Sequence, residues 1–324
     1  MKSLITGITG FVGSHLAERL LSVGEDVVGL SMHGVWPAGT EHLSARIPLL
    51  SIDVADEAGL RSVLREQRPD RIYHLAGQAN VPQSFKDPEG TWRTNFEGGR
   101  HLFDAVAETV PEAKLLFVST GNIYGQPPAE EMPITEETRL RPRTPYAVSK
   151  AAADLLAAFY ARERGQSIVI ARPFNHIGPR QKTGYAVADF SSQIARLEIL
   201  DGARQMHVGD LSVRRDITDV RDAVRAYHLL MQVAEPGESF NVASGNTWSL
   251  QDLVERLVRL SHRPIEIVSD PELLRRFEPS VIRVTPRAVM EKTGWRAEIP
   301  MEQTLLDTLE YWRWRVKKNL DPEE

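Results

Sequence analysis

The stretch TGITGFVG, Thr6 to Gly13, decides the fold. It follows a β-branched apolar run, SLIT (3–6), and precedes GSHLAERLLSVG (13–24), whose apolar residues recur at helical spacing and which closes on glycine. A strand, a glycine turn and a helix in that order form a dinucleotide-binding unit. Gly7 permits the tight turn, Gly10 lets backbone N–H groups approach a pyrophosphate, Gly13 lets helix and strand pack closely, and the helix N-terminus attracts the anion. Phe11 and Val12 complete the cradle.

Outward from this turn the same rhythm repeats. The runs EDVVGL (25–30), RIPLLSID (46–53), RIYHLA (71–76), KLLFVST (114–120) and SIVIARP (167–173) alternate with helical stretches, among them SKAAADLLAAFYARERG (149–165). Strands separated by helices predict an α/β protein, a Rossmann-type doubly wound parallel sheet with a smaller α/β substrate-binding lobe. We read residues 1–173 as the NAD(P)-binding domain, with 217–245 returning to it as a helix (220–233) and a strand (238–244). Residues 174–216 and 246–324 form the smaller lobe. The segment from Gln126 to Pro145 carries five of the 20 prolines and is expected to be a rigid surface excursion, with Pro145 opening the next helix. The tail NLDPEE is expected to fray.

Composition narrows the function classes. With 42% hydrophobic and 26% charged residues and a net charge of -5, the 324-residue chain offers no basic field for nucleic acid. No apolar run approaches the ~20 residues of a membrane span, and the N-terminus is no signal peptide, so the cytoplasm is the expected compartment. The absence of cysteine removes thiolate nucleophiles and disulfides. His176 and His207 lie far apart with no carboxylate cluster, so no metal is expected.

About 20 residues beyond a dinucleotide turn, an acid marks NAD and a basic residue NADP. Here the stretch reads Gly29-Leu30-Ser31-Met32-His33, without a carboxylate to repel a 2′-phosphate or an arginine to grip one. The reading is NADP or NAD, favouring NADP. Ser31, Asp53, Val54, Leu75, Ala76 and Gly77, at the ends of successive strands, are the further cofactor candidates, with Asp53 able to accept from the adenine amino group. His74 is read as a structural histidine.

Tyr146 and Lys150 stand four apart in YAVSK and so share a helix face. An ammonium there lowers the cost of tyrosinate and can hold the nicotinamide ribose, which suits proton transfer near neutral pH. Thr120, at the end of KLLFVST, can hydrogen-bond the same substrate oxygen that Tyr146 protonates.

With TGxxGxxG, YxxxK and their spacing in view, the chain resembles the extended short-chain dehydrogenase/reductases, the NAD-dependent epimerase/dehydratase family acting on nucleotide sugars, from Met1 to about Trp314. The segments RPFNHIGPRQ (172–181), RRDITDVRDAVRAY (214–227) and RRFEPS (275–280) are most similar to the GDP-4-keto-6-deoxy-mannose reductases and GDP-mannose 4,6-dehydratases. The resemblance implies Thr120, Tyr146 and Lys150 as the catalytic triad. It also implies Asn175 and Arg215 at the substrate diphosphate, Arg275 and Glu278 at the ribose or guanine, Ser84 near the hexose, and a homodimer formed through the Tyr146 helix.

In one place the chain departs from that pattern. Dehydratases of the family set a glutamate two residues after the catalytic threonine, whereas this position is Asn122, which has no titratable proton. Asn122 stands as a substrate-side residue, or as one that satisfies loop backbone. The reading is therefore reduction of a GDP-4-keto-6-deoxy-hexose at C4, giving a GDP-rhamnose type product. Nucleotide-sugar 4-epimerase, 4,6-dehydratase and a non-enzymatic dinucleotide sensor are the alternatives. Asp219 is read as a helix cap, Asp222 and Arg225 as a solvated face, and Tyr311, Trp312 and Trp314 as packing residues.

Overall fold

The computed structural model describes residues 1–200, 204–273 and 281–320. The first half runs β1 (Lys2–Thr6), α1 (Phe11–Ser22), β2 (Asp26–Ser31), α2 (Glu41–Ser44), β3 (Leu49–Ser51), α3 (Glu57–Gln67), β4 (Arg71–His74), α4 (Val81–Lys86), α5 (Pro88–Trp92), α6 (Gly98–Thr109), β5 (Lys114–Val118), α7 (Pro145–Arg164) and β6 (Ile168–Pro173). There follow β7 (Asn175–Ile177), α8 (Ala186–Leu197), β8 (Gln205–Val208), β9 (Arg214–Asp219), α9 (Val220–Val233), β10 (Ser239–Val242), β11 (Thr247–Ser249), α10 (Leu250–Arg259), β12 (Glu266–Ser269), α11 (Arg287–Thr293) and α12 (Met301–Lys317).

Seven strands pair in parallel in the order β10-β6-β5-β4-β1-β2-β3. Alternate strand residues supply opposite faces, as a pleat requires. Ile5, Tyr73, Leu116 and Val169 pack with Leu16 and Leu20 of α1 and with Tyr227 and Leu230 of α9. Leu4, Ile72, Leu115 and Ile168 meet α3, α6 and α7 through Leu64, Phe103 and Ala157. The sheet is buried on both sides, which is why its strands read as continuous apolar runs. A small sheet, β11-β9-β7, and a pair, β12-β8, build the second region with α8, α10 and α12 around Ile194, Met206, Leu257 and Leu309. Trp312 is buried against Ala188 and Ala195, and Trp314 packs over Gly39. No described helix is long and apolar enough to cross a membrane.

Several expectations need correction. The proline-rich segment lies at the surface as expected, but it is tied to the rest of the chain: Ile134 is buried, its N–H donates to Arg283 O at 2.9 Å and its carbonyl accepts from Thr285 N at 3.0 Å, while Arg141 N donates to Ile123 O at 2.9 Å. Long-range backbone bonds satisfy this irregular chain where regular structure does not. Asp222 is not on a solvated face. It is 2% exposed, accepts from the amides of Glu298 and Ile299 at 2.9 Å each, and pairs with Arg225. Asp219 does cap α9, accepting from Arg221 N. β3 is shorter than the 46–53 run because Ile47 N closes a turn on Leu43 O, and α1 starts two residues before Gly13.

Candidate active site

Above the C-terminal edges of β1, β4 and β5, three loops converge. In the first, Gly7 adopts φ +71, and a Cβ there would lie 2.8 Å from Ala76 N. A Cβ on Gly13 would come within 2.3 Å of Gly7 O, so helix and turn touch backbone to backbone. α1 opens at Gly10 with no capping side chain, leaving its first-turn N–H groups to an anion. A dinucleotide's pyrophosphate fits this cradle.

The remaining cofactor candidates surround it. Ser31 ends β2 with its hydroxyl 2.9 Å from that of Thr9. Asp53 accepts from Ala55 N at 2.9 Å and pairs with Arg93 at 3.3 Å, and Val54 packs beneath Gly98. Leu75 N donates to Thr6 O at 3.2 Å and Ala76 N to the Thr6 hydroxyl at 3.1 Å. His74 is buried with Nδ1 2.8 Å from the same hydroxyl, and burial, helped by the Lys150 charge, drives its pKa down to about 3, so it is neutral.

Sequence reading passed over Asn95. Fully buried, it accepts from Gln78 N at 2.8 Å, donates to Gln78 O and to the Ser149 hydroxyl at 3.0 Å each, and lies against Gly77. It thus ties the loop after β4 to α7, the helix that carries Tyr146 and Lys150. No local signal marked it, since Arg93, Thr94 and Glu97 stand beside it in the sequence.

Thr144 caps α7 from the residue before Pro145, accepting from Ala147 N, so Tyr146 and Lys150 occupy its first turns. Both are buried, as is Thr120, whose hydroxyl bonds the Tyr146 phenol. Burial pushes the phenol up to about 12, with the Thr120 bond opposing. Lys150 is brought down to about 8 by burial, with Asp154, one turn further along α7, acting the other way. The ammonium donates to Val118 O at 2.6 Å and stands 4.4 Å over the Phe117 ring. This differs from the sequence expectation of a lowered phenol: the surroundings keep Tyr146 protonated, the state a proton donor requires.

The substrate candidates are more dispersed. Asn122 is exposed at a 3₁₀ turn (Gly121–Tyr124), with its backbone N–H donating to the Thr120 hydroxyl at 3.2 Å. Ser84 is buried in α4, donating to Val81 O at 2.7 Å. Asn175 is exposed at the head of β7 opposite Ile217 of β9, and Arg215 stands half-buried two residues earlier on that strand. Arg275 and Glu278 lie outside the described residues.

A dinucleotide cradle beside a buried threonine, tyrosine and lysine defines a nicotinamide-dependent oxidoreductase of the short-chain type. The chain belongs to the GDP-mannose 4,6 dehydratase family, whose model matches residues 4–308. It is 36% identical to the GDP-6-deoxy-D-mannose reductase of Pseudomonas aeruginosa over 97% of this chain and 98% of that one. It is 32% identical to the UDP-glucose 4-epimerase of Mycolicibacterium smegmatis over 97% and 99%. Among solved structures, RMD from Pseudomonas aeruginosa complexed with NADPH superposes with a TM-score of 0.85 at 34% identity, covering 97% and 99% of the two chains.

Proposed function

We propose that this protein reduces the C4 ketone of a GDP-linked 4-keto-6-deoxy hexose with a nicotinamide cofactor, NADPH in preference to NADH. The observation that carries the reading is the buried Thr120–Tyr146–Lys150 set beside an exposed Asn122 in the place where dehydration needs a carboxylate. The cofactor supplies hydride to C4. Tyr146 gives its proton to the carbonyl oxygen, Thr120 hydrogen-bonds that oxygen, and Lys150 holds the ribose and adds positive charge. Residues 1–173 with 217–245 serve the cofactor and the remainder serves the sugar nucleotide. Asn175 and Arg215 are assigned to the diphosphate, Ser84 to the hexose, and Arg275 and Glu278 to the ribose or guanine.

The test is consumption of NADPH with GDP-4-keto-6-deoxy-mannose. Stoichiometric oxidation is expected. UDP-glucose interconversion with bound cofactor and no net NADPH loss would establish the 4-epimerase reading instead, which the 32% relative supports. A second expectation concerns pH. Lys150 loses its charge above about 8 while Tyr146 stays protonated to about 12. Log kcat should therefore fall with unit slope above about pH 8, with no loss from these two groups on the acid side. A profile flat to pH 10 would remove Lys150 from the reaction.

α7 exposes Val148, Leu155 and Phe159, at 44%, 59% and 43%, along one face near Trp92. Such an apolar stripe supports a homodimer through this helix. The cytoplasm remains the expected compartment.

A further inference from the structure

Hydride transfer needs its two ligands held in one rigid frame, because a misplacement of about 1 Å can cost ~10²-fold in rate. On the reductase reading the cofactor's pyrophosphate rests on α1, whereas the sugar nucleotide's diphosphate rests on β7 and β9, which belong to a different sheet. Something must join the two frames. The segment directly after β7 does so.

Arg180 Nη1 donates to Glu18 Oε1 at 2.6 Å and Nη2 to Glu18 Oε2 at 2.7 Å, a planar fork onto the middle of α1. Nη2 also lies 2.8 Å from His15 Nδ1, and His15 Nε2 lies 2.9 Å from Pro179 O. Burial keeps His15 neutral, which suits it to accept at one nitrogen and donate at the other. Burial opposes the charge on Glu18, but the forked Arg180 guanidinium prevails and holds the carboxyl well below the usual range. His42 also faces Glu18, at 2.8 Å.

Two more contacts follow the same line. Phe11, from the glycine turn itself, stacks on His176 at 5.8 Å and 16° and meets His15 edge-on at 5.7 Å. Arg180 has φ +72, a left-handed conformation uncommon for a residue with a side chain. The backbone accepts that strain where the guanidinium is locked on three atoms. His176 is the immediate neighbour of Asn175.

We propose that Arg180, gripping Glu18 and His15, is a positioning residue that sets the distance between cofactor and sugar while touching neither. The inference rests on the reductase reading. Its test uses the full-length protein and three variants: Arg180→Gly, which frees the backbone and removes the clamp; Arg180→Lys; and the milder Glu18→Gln.

Arg180→Gly is expected to lower kcat about 10-fold while NADPH Kd stays within about twofold. The primary isotope effect with NADPH deuterated at the transferred position should rise, because hydride transfer becomes slower relative to the other steps. Arg180→Lys should recover part of the rate, and Glu18→Gln should move kcat and isotope effect the same way to a smaller degree. An unchanged isotope effect and kcat in both Arg180→Gly and Glu18→Gln would overturn the proposal. So would NADPH affinity falling in step with kcat, since the pair would then merely support α1. A wild-type protein that turns over no 4-keto sugar overturns the reductase reading itself, an outcome told apart by the wild-type control.

Discussion

Tyr146→Phe is expected to lower kcat for ketone reduction by ~10²–10⁴-fold, the usual contribution of a positioned proton donor. The substitution removes one oxygen and nothing else. The ring stays in its buried place at the start of α7, and the glycine turn proposed to hold the cofactor is untouched, so NADPH affinity by fluorescence titration should match wild type. Thr120 would remain to hydrogen-bond the substrate oxygen but has no acidic proton to give it. A variant keeping more than about a tenth of wild-type kcat would remove Tyr146 from the role of acid.

Asp154→Ala carries the largest expected loss of stability, about 3–5 kcal/mol, read as a fall in the urea midpoint. Asp154 is fully buried one turn beyond Lys150, and Arg172 grips it from Nε at 3.0 Å and Nη2 at 2.7 Å. Arg172 Nη1 continues to the Tyr124 hydroxyl at 2.9 Å, and that hydroxyl donates to Asn241 Oδ1 at 2.9 Å. Removing the carboxylate strands a guanidinium in the interior. The double variant Asp154→Leu/Arg172→Met should recover much of the loss, because the cost lies in the unpaired charge rather than in the missing attraction. If the double variant is no more stable than the single one, the pair is not what holds this region.

The sheet was legible because most of its strands are buried on both faces and read as continuous apolar runs, while helices buried on one face repeat at helical spacing. Glycines at 7, 10 and 13 were legible for a related reason: close backbone approach excludes a Cβ, and only one residue type satisfies that. What escaped notice depends on contacts distant in sequence. Ile134 bridges to Val284, and no local pattern announces it. Asp222 looked like a surface charge because its partners, the amides of residues 298 and 299, carry no side-chain signature. Asn95 escaped because a polar residue beside others in the sequence is ambiguous until its contacts are known. The closeness of Thr120, Tyr146 and Lys150 was legible, but not the phenol's environment, since burial is a property of the fold.

The order in which the chain completes its sheets bears on how the molecule can be divided. The seven-stranded sheet receives its last strand, β10, at Ser239–Val242, and the three-stranded sheet its last, β11, at Thr247–Ser249. Both are therefore finished almost together, late in synthesis and across long loops, which is the slow kind of topology. No cut before β10 leaves the seven-stranded sheet whole. A chain stopped before β10 would leave β6 as a bare edge, open to pairing with another copy, and one begun after β6 would lack the glycine turn altogether. The proposed cofactor and sugar regions are thus interleaved along the chain, and a version that keeps both sheets must keep the chain through β11.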